Sequence, residues 1–492
     1  MPITQAISIG AKIKEVGRHS IIYGLGSMSQ SAAGLILLPI LTGSLSKDDF
    51  GAYSFIMMVA AIASAVFYFG MASALPRSYF DYESVDDRRA VFTTAFIIML
   101  AGAFLQACFA YYFAENISRF LVGNNDHADA IVAALIGGAL GFINTFFFSY
   151  LRLLRKSISS VVFSVISLIG SIGMTFYFLA LSADKLIAPF KAIICTQGTI
   201  AFIFALIYGK SIFSLRIKSI EIPKLLHFGI ASIVASFGAM LMEWLDRFMI
   251  QHYMTLADVG TYSAAFRVAM LINVIFILPF SQIWSPMMME YRNKVNIKDL
   301  FTHVFSLFFI LGGIVVIASS LFAQEFLPLL IRSGVDSDLI AIFLIGMIGL
   351  LIYGATGFVG AGLFYERKVH LLSYAYYGSA FLKAIIGFIL IPSIGLIGAS
   401  VSAICAYSTV PLVIYTMSKK YFSFHVEWRR LGIFLIISLP SLVYGLFGNS
   451  LYRVDVIVRF IWFGFTLVLI YLKCFSHSER LIFRNFFQKE IS

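Results

Sequence analysis

Leu45–Ser54 reads LSKDDFGAYS, and Met254–Ser263 reads MTLADVGTYS. At an offset of 209 residues, Asp49, Gly51, Tyr53 and Ser54 fall on Asp258, Gly260, Tyr262 and Ser263. Further along, Asp81–Tyr82 falls on Glu290–Tyr291 in the same register, and Pro76 lies one residue out of register with Pro286. Self-similarity at a fixed period marks a repeated structural unit. A chance match of a few residues is the competing reading. Against it, the matched segments sit at equivalent places, each after an apolar run long enough to cross a bilayer. The chain therefore reads as two copies of one six-span bundle. Six is even, so both copies enter the membrane in the same orientation and are related by an axis along the membrane normal.

The rest of the sequence agrees. Of 492 residues, 60% are hydrophobic, 16% aromatic and only 12% charged, with mean hydropathy +0.91. Soluble domains carry about 25% charged residues. This chain has too little polar surface to cover a soluble fold. That excludes an ordinary cytosolic enzyme, a nucleic-acid binder and a secreted disulfide scaffold. It leaves an all-α, polytopic transmembrane bundle of about fourteen helices of about 21 residues each. A transmembrane barrel would alternate apolar and polar residues over about ten positions, and no such pattern is seen. The expected organisation is an N-lobe at 1–224 (spans one to six), a C-lobe at 225–418 (spans seven to twelve), and two further helices with a basic tail at 419–492. The first apolar run, from Ile21 to about Leu45, follows Lys12, Lys14 and Arg18. It is too long for a signal-peptide core and is expected to remain as the first span.

Net charge is +11. Basic cytoplasmic loops account for it better than nucleic acid does. Most of the 36 Lys and Arg fall on alternate loops. The opposite side holds only Lys47, Arg119, Lys185, Lys191, Arg247, Arg332 and Arg453. By the positive-inside rule both termini are then cytoplasmic. The tail Glu479–Lys489 reads either as an amphipathic surface helix or as a plain basic tail. Cys108, Cys195, Cys405 and Cys474 form no CxxC pair and read as packing residues.

His19–Phe55, HSIIYGLGSMSQSAAGLILLPILTGSLSKDDFGAYSF, and Glu243–Leu271, EWLDRFMIQHYMTLADVGTYSAAFRVAML, resemble the polysaccharide-biosynthesis branch of the multidrug/oligosaccharidyl-lipid/polysaccharide (MOP) exporter superfamily. The Gly-x-Tyr-small pattern after both first helices is typical of it. Pro392–Ser400, PSIGLIGAS, resembles the family's short turn between spans eleven and twelve. The resemblance covers spans one to twelve and is weak on the substrate. It implies a two-lobed, inverted-V transporter similar to Wzx-type flippases. These move an undecaprenyl-pyrophosphate-linked oligosaccharide repeat unit by alternating access. The unit passes from the cytoplasmic to the periplasmic leaflet of the bacterial inner membrane, for O-antigen, lipopolysaccharide or capsule assembly. A polysaccharide polymerase and a chain-length regulator are the partners so implied. The two extra spans resemble the extra pair of peptidoglycan lipid II flippases, without a sequence match.

Ionisable residues within spans are costly and default to functional candidates. Arg267, in span eight, and Lys383, near the middle of span eleven, are the deep ones, and no acidic residue is expected at comparable depth. A water-filled cleft holding both would be cationic and would suit a pyrophosphate, to which guanidinium makes bidentate contacts. Snorkelling or a structural ion pair is the rival account. Glu243, Asp246 and Arg247 cluster at the outer end of span seven. They are candidates for gating or ion coupling, or for a surface salt bridge. Gln30, Asn144, Gln197, Asn273 and Gln282 are amides at membrane depth, suited to sugar hydroxyls or equally to interhelical glue. Pro39, Pro279, Pro411 and Pro440 are expected to kink their spans.

No phosphate-binding GxxxxGK[ST] stretch, HExxH motif or Cys/His metal pair occurs. No cofactor or metal is expected, and the driving energy falls to a gradient or to consumption of the product. Alternatives to the flippase are a lipid II flippase, a MATE-like drug/cation antiporter and a membrane-embedded polymerase. The antiporter would need deep carboxylates. The polymerase would need a large external loop, and the loops here are short.

Overall fold

The computed structural model describes residues 34–154, 156–214, 216–292, 296–451, 456–475 and 480. Gln30 and the tail beyond Arg480 lie outside the described residues. Among those described, every regular element is helical, and twelve helices are long and apolar enough to cross a membrane. The chain divides into two compact units, Met1–Ser263 and Ala264–Ser492. The division falls later than residue 224, because the seventh span packs onto the second.

In the first unit, α1 (Gly34–Ser44) is a short apolar helix containing Pro39. It is followed by α2 (Lys47–Phe67), α3 (Met71–Tyr79), α4 (Val85–Val122), α5 (Ala128–Leu153), α6 (Ser157–Leu181), α7 (Ala188–Ile212) and α8 (Ile222–Tyr253). The repeated motif opens helices. At α2, the Ser46 side chain accepts the Asp49 N–H at 3.0 Å and its hydroxyl donates to the Asp49 carboxylate at 2.7 Å. At α9 (Leu256–Ala269), Thr255 and Asp258 cap each other reciprocally, with Thr255 N–H donating to Asp258 at 3.0 Å. Both are capping boxes with aspartate at the third helical position.

The glycines of the motif face each other. A Cβ on Gly51 would overlap the Leu256 carbonyl, and a Cβ on Gly260 would overlap the Lys47 carbonyl. Those carbonyls are themselves 209 residues apart, so the contact between α2 and α9 is reciprocal, residue for residue. Small residues let membrane helices approach this closely, and dispersion between the backbones replaces the hydrophobic drive that lipid removes.

The second span breaks between α2 and α3, where Phe69 (φ 52°) and Gly70 (φ 64°) take the left-handed conformation. A side chain on Gly70 would strike the Gly229 carbonyl of α8. The core of this unit is aromatic, with Phe147 stacked on Phe204 at 4.2 Å and Phe92 tilted against Tyr150 at 4.5 Å. α4 reaches Val122 and is closed at Gly123 (φ 83°).

The segment leading into α8 is latched to α4. Ser214 and Lys218 donate backbone N–H groups to Thr93 and Thr94 at 2.9 and 3.0 Å. Lys218 pairs with Asp87 at 2.9 Å and sits over the Tyr82 ring, while Tyr82 donates to the buried Glu221 at 2.9 Å. That carboxylate, accepting the hydroxyl, pushes the Tyr82 phenol above its ordinary pKa. Tyr82→Phe is expected to cost about 1 kcal/mol in thermal melts, the scale of one hydrogen bond to a charged group that is partly solvated.

In the second unit, α9 continues through a π turn (Asn273–Ile277) into α10 (Leu278–Glu290). α11 (Ile297–Leu321), α12 (Ala323–Leu330), α13 (Ser337–Gly354), α14 (Thr356–Val359) and α15 (Ala361–Tyr365) follow. The irregularity at 273–277 lies near the position equivalent to the break at Phe69–Gly70. Both copies of this span are thus interrupted inside the membrane. α16 (Leu372–Ser418) would be about 70 Å long if straight, over twice a bilayer's hydrocarbon core. Instead, Ile394 and Gly395 leave helical geometry (Gly395 φ 62°, ψ −138°). A Cβ on Gly398 would overlap the Leu390 carbonyl, so the chain doubles back. α16 is two passes joined at the expected turn. With α1 as the described part of the first span, the twelve become the fourteen read from hydropathy.

α17 (Trp428–Leu451) packs on α11, and α18 (Val456–Cys474) packs on α17 and α11. Their shared core includes Ile310, Ile317, Phe434 and Ile470. All four cysteines are free thiols.

Candidate functional site

In the second unit, Tyr407 is the aromatic neighbour of the deep Lys383 and of Phe266, the residue beside Arg267. Lys383, on the first pass of α16, is fully buried, with its ammonium 5.7 Å from the Tyr407 ring on the second pass. Phe266, next to the partly buried Arg267, stacks on the same Tyr407 at 6.2 Å. Tyr353 packs edge-on against Tyr407 at 5.5 Å and meets the Tyr376 hydroxyl at 3.4 Å. The helical fold thus brings Phe266 and Lys383, 117 positions apart in sequence, around one tyrosine. A cation over an aromatic face gains from the ring quadrupole, which lowers the cost of burial. In the repeat register Arg267 falls on Met58, so the first copy has no matching cation there.

A second feature of the same unit is an apolar cavity of about 750 Å³ between α11, α13, the second pass of α16 and α17. Phe305, Leu351, Pro411 and Leu435 are among its walls.

In the first unit, α8 continues to Tyr253, so Glu243, Asp246 and Arg247 lie within the helix and not at its outer end. Asp246 is only 1% exposed and accepts the Tyr262 hydroxyl at 2.6 Å. The sequence reading therefore missed a buried carboxylate. Arg247 donates to the Ser263 hydroxyl at 3.1 Å and to the Glu243 carbonyl at 2.9 Å, and stacks on Trp244 at 4.5 Å. The Asp-Arg pair thus ties α8 to the Tyr-Ser end of the repeated motif. Tertiary hydrogen bonds satisfy these groups, which is why the helix runs on past charges that hydropathy reads as a loop.

Asn144 and Gln197 come together. The Asn144 amide donates to the Gln197 carbonyl at 2.9 Å and to its side-chain oxygen at 2.7 Å. They line a cavity of about 380 Å³. Asn273 opens the π turn and Gln282 is exposed on α10, both in the second unit. Among the described residues no cluster of His, Cys, Asp and Glu could hold a metal.

Arg459 is the intramembrane cation that sequence reasoning did not weigh. Near the start of α18, it makes a two-pronged pair with Glu325 of α12 and donates to the Leu321 carbonyl at 2.9 Å. The missed signal was Glu325, which falls in a short helix that hydropathy assigns to a loop.

The fold belongs to a class of transporters. The lipid II flippase MurJ, in an inward closed conformation, superposes with TM-score 0.67 and 17% identity, covering 96% of this chain and 99% of MurJ. An inward-facing multidrug resistance MATE transporter of the MOP superfamily superposes with TM-score 0.64 and 15% identity, covering 80% and 94%. The chain has the fold of the MOP exporters. Within that class it belongs to the polysaccharide biosynthesis protein family, whose model matches residues 16–292, more than half its length. An uncharacterized membrane protein of Haemophilus influenzae is 24% identical over 290 residues, 58% of this chain and 68% of its own.

Proposed function

We propose that the protein is a flippase for an undecaprenyl-pyrophosphate-linked oligosaccharide, serving O-antigen or capsule assembly in a bacterial inner membrane with both termini cytoplasmic. The observation that supports this reading is the full burial of Lys383 beside Tyr407, in the same unit as the partly buried Arg267. Two cations at membrane depth select an anion, and the substrate's diphosphate supplies it. The apolar cavity in the same unit suits an amphiphile over a free sugar phosphate. The repeat halves, 1–224 and 225–418, are read as the lobes that alternate access, and 419–492 as an appended pair of helices with a basic tail. Asp246 and Arg247 tie α8 to α9, and gating or ion coupling would act there, with Glu243 one turn away on α8. A polymerase and a chain-length regulator are the partners expected downstream.

The test is reconstitution in liposomes with a fluorescent undecaprenyl-pyrophosphate oligosaccharide. Arg267→Ala and Lys383→Met are each expected to slow transfer to the opposite leaflet at least tenfold, or about 1.4 kcal/mol in the barrier. Both variants should keep the wild-type elution profile and melting temperature within a few degrees. Full transfer in both would remove the cations from the mechanism, and no transfer by the wild type would remove the substrate class.

A further inference from the structure

We infer that the cavity inside the first unit is a subsite for an uncharged sugar ring. This rests on the flippase reading above and deepens it, because it separates recognition of the sugar from recognition of the diphosphate. The cavity lies between α2, α5, α6 and α7, and no charged side chain lines it. Its polar wall is made of amides and hydroxyls: Asn144, Gln197, Ser64 and Ser167.

Asn144 is the informative residue. It is 1% exposed, and its Nδ2 donates to both the Gln197 backbone carbonyl and the Gln197 side-chain oxygen. A backbone carbonyl can only accept, so this contact fixes which way the amide faces. Oδ1 is left in the cavity wall with no hydrogen-bond partner among the described residues. A buried acceptor without a donor is costly, and a guest hydroxyl would supply one.

Gln197 in turn donates to Ser167 at 3.3 Å, and Gln106 holds Ser64 at 2.8 Å, so the wall is braced from behind. Phe142 and Phe148 add flat apolar faces of the kind that pack against the C–H side of a pyranose. The volume, about 380 Å³, holds about a dozen waters at about 30 Å³ each, the bulk of one hexose with room to spare. A cation is the wrong guest, since a hard cation selects carboxylate oxygens and none is present. The way in passes Gly141 and the exposed Thr145, one helical turn apart. A side chain on Gly141 would meet nothing within 4 Å.

Gly141→Leu therefore fills the cavity mouth without displacing a neighbour, which makes it the cleaner variant beside Asn144→Ala. Both are compared with wild type in nanodiscs, using undecaprenyl pyrophosphate with and without its oligosaccharide. Each variant is expected to weaken binding of the sugar-bearing lipid at least tenfold and to leave the bare diphosphate lipid within twofold. In a second arm, Gly141→Cys is labelled with a maleimide after the four native cysteines are replaced by serine or alanine. Free oligosaccharide should slow that labelling, and inorganic pyrophosphate should not. Protection by free oligosaccharide without any lipid binding would leave the sugar subsite standing and sink the flippase reading. Equal loss for both lipids, or no loss for either, together with labelling of the Gly141→Cys variant that oligosaccharide does not slow, would overturn the subsite.

Discussion

Gly51→Val is expected to destabilise the first unit by about 3 kcal/mol or more, because the new side chain has to occupy the position of the Leu256 carbonyl. A flexible side chain can move aside, but helical backbone cannot, so α2 and α9 have to separate. The reciprocal geometry adds a sharper expectation. Gly260→Ala pushes the same two helices apart through the Lys47 carbonyl. Once either substitution has opened the crossing, the other meets less resistance. The double variant Gly51→Ala/Gly260→Ala should cost clearly less than the sum of the two singles, since sites that share one backbone shift couple strongly. Melting of the four proteins in one detergent measures this. Strict additivity would mean that each glycine is accommodated locally and that the crossing does not act as a unit.

Arg459→Met is expected to cost about 2–4 kcal/mol and to loosen α18 first. It leaves the Leu321 carbonyl and the Glu325 carboxylate without their donor, and removing one partner of a buried pair leaves the other's desolvation uncompensated. Arg459 is 5% exposed but Glu325 is 36% exposed, so water screens part of the loss and the lower half of that range is favoured. Adding Glu325→Gln should restore part of the stability, because an amide needs no counter-charge. Hydrogen exchange of the α18 amides, together with melting, reports the effect locally. A double variant as unstable as the single would show that the arginine acts through Leu321 alone.

Much of the architecture was legible in the sequence because a bilayer leaves helices as the only open spans, and apolar length then counts them. The turn at Pro392–Ser400 was readable through the family resemblance of its sequence. The repeat was readable from matched residues. Its physical content was not, because capping boxes at Ser46–Asp49 and Thr255–Asp258 can be read locally, whereas a glycine-to-glycine crossing needs both helices in place. Helix ends were misjudged wherever tertiary partners hold a charge, as Ser263 and the Glu243 carbonyl hold Arg247. The pairing of Asn144 with Gln197 could not be foreseen from two amides 53 residues apart, since neither helical period nor composition fixes which faces of α5 and α7 meet. The meeting of Lys383 and Phe266 at one tyrosine was hidden for the same reason.

Contacts in which each partner offers the other the same atoms belong to symmetric dimers. A single-copy ancestor bearing one glycine-opened helix would have met its twin through that patch, glycine to carbonyl and carbonyl to glycine. Joining the two genes would have kept the seam while freeing each side to diverge. One side now carries Asp246 and Arg247, and at the matching positions the other carries Leu37 and Leu38. Drift of this kind is open to every residue except those at the seam, where a change on one side has to be answered on the other. Gly51 and Gly260 are therefore the positions at which descent from a homodimer is expected to leave its longest-lived trace.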